Sequence, residues 1–457
     1  MSNNSKASER IKSLLDENSF VEIGGLMTAR ATDFNLEPKD TPADGVVTGY
    51  GLIDEKLVYV YSQDAAVLGG SVGEMHAKKI CALYDFALKV GAPVIGLIDC
   101  AGLRLQEGTD ALQAFGAIYK KQALCSGVIP QISVLFGNCG GGLAVIPTLT
   151  DFTFMAEDAK LFVNAPNTLD GNYEDKNDTA SAKFQSTECG TVDFVSAQSD
   201  LFDQIRKLVV MLPDNNEAND TYEECTDDLN RGCIEYDDAV QMLEQIADDN
   251  VYVEVKADYA KDITCGLMKL NGTTVGAVAN REDKMSPYGC VKAADFVNFC
   301  DAFEIPLLTL TNVSGFEATV DAEKKMAKAA AKLTYAFANA SVPKVNVITK
   351  KAFGNAVNVM NSKALGCDMT FAWEGSAMGM MDANLAAKAM YAGQGEDVIR
   401  EQAAEYDKLQ NSITSAARRG YVDTVINAVD TRKYVIGAFE MLYTKREELP
   451  AKKHGTV

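Results

Sequence analysis

Short apolar runs bounded by proline and glycine alternate along this chain with longer stretches in which polar residues recur every few positions. Val94 to Ile98 and Gln131 to Phe136 read as strands, and Lys78 to Lys89 and Ala111 to Leu124 as helices. The same succession returns further on. A helix over Lys292 to Phe303 leads to a strand over Leu307 to Leu310, then a helix over Ala322 to Ala338 and a strand over Lys344 to Ile348. Strands apolar on both faces, alternating with helices, are the pattern of buried βαβ units. The predicted fold class is α/β.

The two successions overlay at a constant offset of 213 residues. Ala92-Pro93-Val94-Ile95 falls on Ile305-Pro306-Leu307-Leu308, and Asp99-Cys100-Ala101-Gly102 on Asn312-Val313-Ser314-Gly315. Val128 to Ile132 falls on Ser341 to Val345, Gly141 on Gly354, and Lys79 on Lys292. A repeat of this length is a duplicated domain rather than a solenoid unit. The acidic, loop-like stretch Pro213 to Asn230 reads as the linker. The expected domains are therefore 1–225 and 226–457. Lys79 and Lys292 are expected at solvated helix positions, and Asp64 as the cap of a turn.

Charge and composition narrow the function. A net charge of −21 argues against nucleic acid as a partner. With 47% hydrophobic and 23% charged residues the chain reads as globular. Its richest apolar stretch, Leu83 to Leu103, carries Asp85, Lys89 and Asp99, so no transmembrane helix is expected. The start, MSNNSKASERIKSLL, has no apolar core of a secretory signal. Eleven scattered cysteines without a C-x-x-C pair fit a reducing cytoplasm. Only His76 and His454 are present, which argues against both a Cys/His metal site and a histidine triad.

Gly140-Gly141-Gly142 follows a strand and opens an apolar segment, Leu143 to Ile146. N–H groups at a helix start lack intrahelical acceptors and sit at the positive end of the dipole, where they can bind a phosphate or a developing oxyanion. A tight strand-to-helix turn is the plainer reading. In the second copy the corresponding segment is Phe353-Gly354-Asn355-Ala356-Val357. Asn tolerates φ > 0 better than other non-glycine residues, so Asn355 is expected to keep a glycine-like turn.

Longer motifs carry a resemblance. Asp44 to Gly49 (DGVVTG), Gln63-Asp64 followed by Gly69 to His76 (GGSVGEMH), Asp99 to Gly108 (DCAGLRLQEG) and Gly137 to Phe152 stand in order, and Arg419 to Val457 close the chain. Together they resemble the carboxyltransferase subunits of biotin-dependent acyl-CoA enzymes. That family includes propionyl-CoA carboxylase β subunits and the α subunits of methylmalonyl-CoA and glutaconyl-CoA decarboxylases. The likeness runs nearly end to end. It implies a tandem duplication of a crotonase-like (ClpP/crotonase) ββα superhelical fold, with the acyl-CoA on the first domain and biotin on the second. The implied chemistry passes through an enolate and needs two oxyanion holes; the biotin enolate can itself move the α-proton, so by the resemblance no side-chain base is required. By resemblance Gly141 and Gly142 serve the thioester oxygen, and Asn355 and Ala356 the biotin ureido oxygen. Gly69, Gly70, Ser71, Gly73, Gly102 and Gly140 line the acyl-CoA side, and Gly354 and Asn358 the second copy. Arg104 and Glu107 organise the acyl side, or form a buried ion pair that holds their loop.

The implied cofactor is biotin on a separate carrier protein, because no Met-Lys-Met sequence occurs here: Met268-Lys269 is followed by Leu270. No metal is expected. The implied partners are that carrier and either a biotin carboxylase subunit or a membrane sodium-pump decarboxylase subunit, within a homo-hexamer. The implied location is cytoplasmic, peripheral to the membrane where a pump subunit is present. Departures cluster in the second copy. Gly315 to Glu323 lacks a glycine and a glutamine of the family pattern, Trp373-Glu374 replaces Trp-Pro, Asn355 replaces a glycine and Asn358 an aspartate. Ala165-Pro166 replaces a Gly-Pro in the first copy. Two other readings therefore stand: a non-catalytic partner subunit, and a biotin-independent crotonase-type acyl-CoA enzyme.

Overall fold

A computed structural model describes residues 5–31, 34, 40–172, 176–218, 224–447 and 449. His454 and the closing residues 450–457 lie outside them, as do residues 219–223 within the expected linker. The chain forms two compact units, residues 1–220 and 221–457.

The first unit is built on a seven-stranded sheet. Val21–Ile23, Val46–Ile53, Lys56–Gln63, Val94–Ile98, Gln131–Leu135, Phe152–Ala156 and Phe194–Ser196 lie side by side in chain order. The first three pair antiparallel and the rest parallel. Asp54 and Glu55, both at positive φ, close the Val46–Gln63 hairpin, as a two-residue turn matched to strand twist requires. Val94, Ile95, Leu97 and Ile98 are essentially inaccessible, which explains their unbroken apolar run. Helices Glu74–Val90 and Thr109–Cys125 connect the parallel strands and pack against each other.

The second unit repeats the topology. Tyr252–Val255, Ile263–Leu270, Thr273–Asn280, Leu307–Val313, Lys344–Phe353, Met369–Trp373 and Thr424–Ile426 form its sheet in the same order, with Ala377–Gly379 added beside Lys344–Phe353. Its hairpin turns at Asn271-Gly272, the sequence most suited to that turn. Even the register repeats: Val94 faces Gln131 and Leu307 faces Lys344, each pair member 213 positions from its counterpart.

The offset is not constant outside that stretch. Hairpin strands Val46–Gln63 and Ile263–Asn280 stand 217 apart. The connection from hairpin to helix therefore takes ten residues in the first unit, 64–73, and six in the second, 281–286. The four extra residues belong to the segment that holds Gly69 and Gly70.

The two repeated lysines overturn the expectation that they are solvated. Lys79 and Lys292 are 3% and 4% exposed. The Lys79 ammonium donates to the carbonyls of Ala43 and Val46, and that of Lys292 to those of Lys256, Tyr259 and Ile263. Ala43, Asp44, Lys256 and Ala260 all adopt positive φ. Backbone bent this way before each hairpin points carbonyls inward, and a buried ammonium gives them donors they would otherwise lack. Burial pushes the Lys79 ammonium down to about 8 and lowers that of Lys292 as well.

Candidate active site

In the first unit the long connection folds back on the segment after strand Val94–Ile98. Ala101 N–H donates to Gly69 C=O at 2.9 Å, and Val72 N–H to Gly102 C=O at 2.9 Å. Gly70 lies so close to this segment that a Cβ there would fall 2.4 Å from the Asp99 carbonyl oxygen. Gly73 is equally constrained, since its Cβ would fall 2.5 Å from the Glu107 carboxylate. Two glycines of the motif are thus required by close approach.

Arg104 is the hub that locks the two segments. Its guanidinium donates to Asp44 Oδ1 at 2.7 Å, Glu107 Oε1 at 2.8 Å, the Ser71 carbonyl at 2.7 Å and Ser71 Oγ at 3.3 Å. All three charged side chains are buried, at 1%, 0% and 2% exposure. The second Glu107 oxygen accepts the Glu74 N–H at 2.6 Å, at the start of helix Glu74–Val90. The equivalent helix of the second unit is capped instead by Ser286, whose hydroxyl accepts the Gly289 N–H. The structural reading of Arg104 and Glu107 therefore holds: they form a buried ion pair, and it fixes the glycine-rich loop.

Sequence reasoning placed Asp44, Gln63 and His76 in motifs but gave them no role. Gln63 Nε2 donates to His76 Nε2 at 3.2 Å, and His76 Nδ1 donates to the Asp44 carbonyl at 2.9 Å. Gln63 Oε1 accepts the Asp99 N–H. Together they continue the Arg104 cluster at the end of strand Lys56–Gln63. Burial raises the Asp44 carboxyl above its usual range despite the neighbouring Arg104. Burial, with the positive Arg104 nearby, depresses His76 to about 3, so its imidazole is neutral at physiological pH. A histidine that binds fewer protons folded than unfolded makes stability fall as pH drops from about 6.5 toward about 3. The expected slope is about 1.4 kcal/mol per pH unit. Urea denaturation across that range should show it, and His76→Gln should flatten it. Equal slopes for the two proteins would deny the coupling. Asp64 caps its turn as expected, accepting the Ala66 N–H.

Beyond strand Gln131–Leu135 lies the glycine turn. Gly140 packs so that a Cβ would sit 2.6 Å from the Phe162 ring. Gly141 has φ +63° and open space where a Cβ would be. Gly141 and Gly142 begin the helical turn Gly141–Ala144, which runs into Val145–Thr148. Tyr119 steadies it by donating its hydroxyl to the Gly142 carbonyl. The first N–H groups of such a turn have no intrahelical acceptor, and here the side toward which Gly141 would project a Cβ is open.

The second unit has the equivalent turn, in which only the glycine at Gly354 is kept while Phe353 and Asn355 stand for Gly140 and Gly142. Gly354 carries the positive φ, +67°, in place of Gly141. Asn355 does not: it sits inside the right-handed helix Gly354–Val359. The expectation that Asn355 is present for its tolerance of positive φ is corrected, because Gly354 alone makes the turn. Asn355 and Asn358 instead line a cavity of about 490 Å³ with Gly354, Tyr406, Gln410 and Arg419, while Ala356 is buried. Gly354→Val should lower the melting temperature by several degrees, since a β-branched residue strains at φ > 0. Asn355→Ala should leave it within about 2 °C. Calorimetry that ranked the two in reverse would misplace the turn.

Each unit thus sets a glycine turn, at Gly141 and at Gly354, beside the parallel strands of a mixed sheet. These features define a tandem crotonase-like carboxyltransferase. A carboxyl transferase domain matches residues 2–457, and the chain belongs to that family. It is 39% identical to methylmalonyl-CoA decarboxylase subunit alpha of Propionigenium modestum, over 99% of this chain and 92% of the relative. It is also 39% identical to the propionyl-CoA carboxylase beta chain of Roseobacter denitrificans, over 99% and 93%. Among solved structures it resembles transcarboxylase 12S, a hexamer with methylmalonyl-CoA and methylmalonic acid bound. The TM-score is 0.94 at 36% identity, covering 98% of this chain and 92% of that one. Among the described residues no cluster fit for a metal ion occurs, and no helix is long and apolar enough to cross a membrane.

Proposed function

We propose that this chain moves a carboxyl group between an acyl-CoA and biotin carried on another protein. Residues 1–225 hold the thioester and residues 226–457 the biotin. The observation that carries the assignment is the asymmetry between the repeats. Only the first has the ten-residue connection, with Gly69, Gly70, Ser71 and Gly73 locked by Arg104 and Glu107. A bulky CoA thioester needs such a backbone-lined approach. Gly102 and Gly140 border the same path, and the Gly141 and Gly142 N–H groups face the thioester oxygen. In the second unit the open cavity lined by Gly354, Asn355 and Asn358, with Ala356 buried behind them, has room and amide donors for a ureido ring. Biotin would supply the ureido nitrogen that carries the carboxyl group. That this cavity stays open despite the substitution at Asn355 favours an active second half over a non-catalytic partner subunit.

By analogy with its relatives, the partners are a biotin carrier with either a biotin carboxylase or a membrane decarboxylase subunit, and the assembly is a homo-hexamer in the cytoplasm. The test is release of CO2 from malonyl-, methylmalonyl- and glutaconyl-CoA by the purified full chain with free biotin. Failure with all three would overturn the reading. A sedimentation coefficient of a compact monomer at micromolar concentration would overturn the hexamer.

A further inference from the structure

Of the cavity's lining, Arg419 is the charged member among the described residues. That is unexpected in a chain of net charge −21. Most arginines here meet carboxylates: Arg10, Arg30, Arg104, Arg206, Arg231, Arg281, Arg400 and Arg432 each do. Arg419 reaches none among the described residues. It donates to Gln410 Oε1 at 2.9 Å and to the Leu409 carbonyl. Both acceptors are neutral, so they aim the guanidinium without compensating its charge.

Leu409 and Gln410 both lie in an irregular segment. Asp407–Asn411 is a π-helical turn at the end of helix Glu396–Tyr406. Wider turns of this kind present groups that a regular helix would turn away, and they occur often at functional sites. The turn is pinned by Asn411, which donates to the Met381 carbonyl at 3.1 Å. Tyr406, Gln410 and Arg419 line the cavity together with Gly354, Asn355 and Asn358.

We infer that Arg419 is a binding residue for a carboxylate in this cavity. A planar guanidinium matches a carboxylate in geometry and stays charged at every working pH. This rests on the second unit being the biotin side, where a carboxylate must pass. It goes beyond that reading by assigning a cation. Two sources share the chemistry: the carboxyl group on biotin, and the free carboxylate of a malonyl-type thioester.

The site can be tested without any turnover. Phenylglyoxal modifies exposed arginines, and peptide mass spectrometry reads each position. Malonate at constant ionic strength should slow modification of Arg419 at least fivefold and leave its neighbour Arg418 unchanged. Equal rates at Arg419 with and without malonate overturn the proposal, whatever the enzyme's activity. Protection in a protein that transfers no carboxyl group would leave the site standing and remove the functional reading instead. With activity in hand, Arg419→Gln should lower carboxyl transfer with free biotin at least fiftyfold, and Arg419→Lys should recover part of it. Calorimetry then separates the sources. If the thioester carboxylate is bound, Arg419→Gln weakens methylmalonyl-CoA about tenfold and spares propionyl-CoA. If the carboxyl group on biotin is bound, neither affinity changes while transfer falls. Unchanged transfer with circular dichroism like wild type overturns the inference.

Discussion

Gly141→Val is expected to reduce turnover at least a hundredfold while the protein still folds. Loss of one oxyanion donor costs about 2.7–4 kcal/mol of transition-state stabilisation. The structure explains why the effect should fall on function. A Cβ at 141 meets no atom within 4 Å, so valine displaces nothing in the core. It occupies the open space into which a substrate oxygen would have to come. Its φ of +63° adds strain of roughly 1–2 kcal/mol. A modest fall in melting temperature should therefore accompany a large fall in kcat. Gly141→Ala should be milder in both, because its single methyl obstructs less. Near-normal kcat for the valine variant would move the oxyanion site elsewhere.

Arg104→Ala should have the larger effect on stability. Removing one partner of a buried ion pair typically costs about 3–5 kcal/mol, because the remaining charge is stranded. Here two carboxylates would be stranded, Asp44 and Glu107, and the Ser71 carbonyl would lose its donor. For a unit of this size a drop of roughly 10 °C in melting temperature follows. The loop 64–73 should loosen first, visible as faster amide exchange there than in the sheet. Arg104→Lys should not rescue it, since a single ammonium cannot reproduce the fork that meets four acceptors. A melting curve like wild type would show that the cluster contributes little.

Alternation of apolar runs with helices made the repeat legible, because strands buried on both faces cannot hide their composition. Boundaries near the site were less legible. Helix Glu74–Val90 begins four residues before the Lys78 expected from its pattern, since its first turn is held by Glu107 from a distant loop. Lys79 and Lys292 are misplaced for a related reason: a lysine in a helix is ordinarily solvated, and the acceptors here are carbonyls in segments bent by positive φ, 29 to 36 residues away. Asn355 was misread because a residue type suited to a bend does not say which of two neighbours makes it. The Arg104 cluster was half legible. Arg104 and Glu107 stand three apart in one motif, whereas Asp44, Gln63 and His76 converge on them only in three dimensions.

The buried lysines bear on chemistry that has nothing to do with turnover. Under the proposed function the protein works among thioesters, which transfer acyl groups to uncharged amines without any catalyst. An amine with its pKa lowered to about 8 would ordinarily be the first casualty. Lys79 is instead closed off from solvent and tied to two carbonyls, and Lys292 to three. Acyl marks found at either position would thus date from a moment when that unit was open, during synthesis or after damage. In a peptide map of aged protein, these two lysines act as a record of past unfolding, while the surface lysines report only exposure to the metabolite.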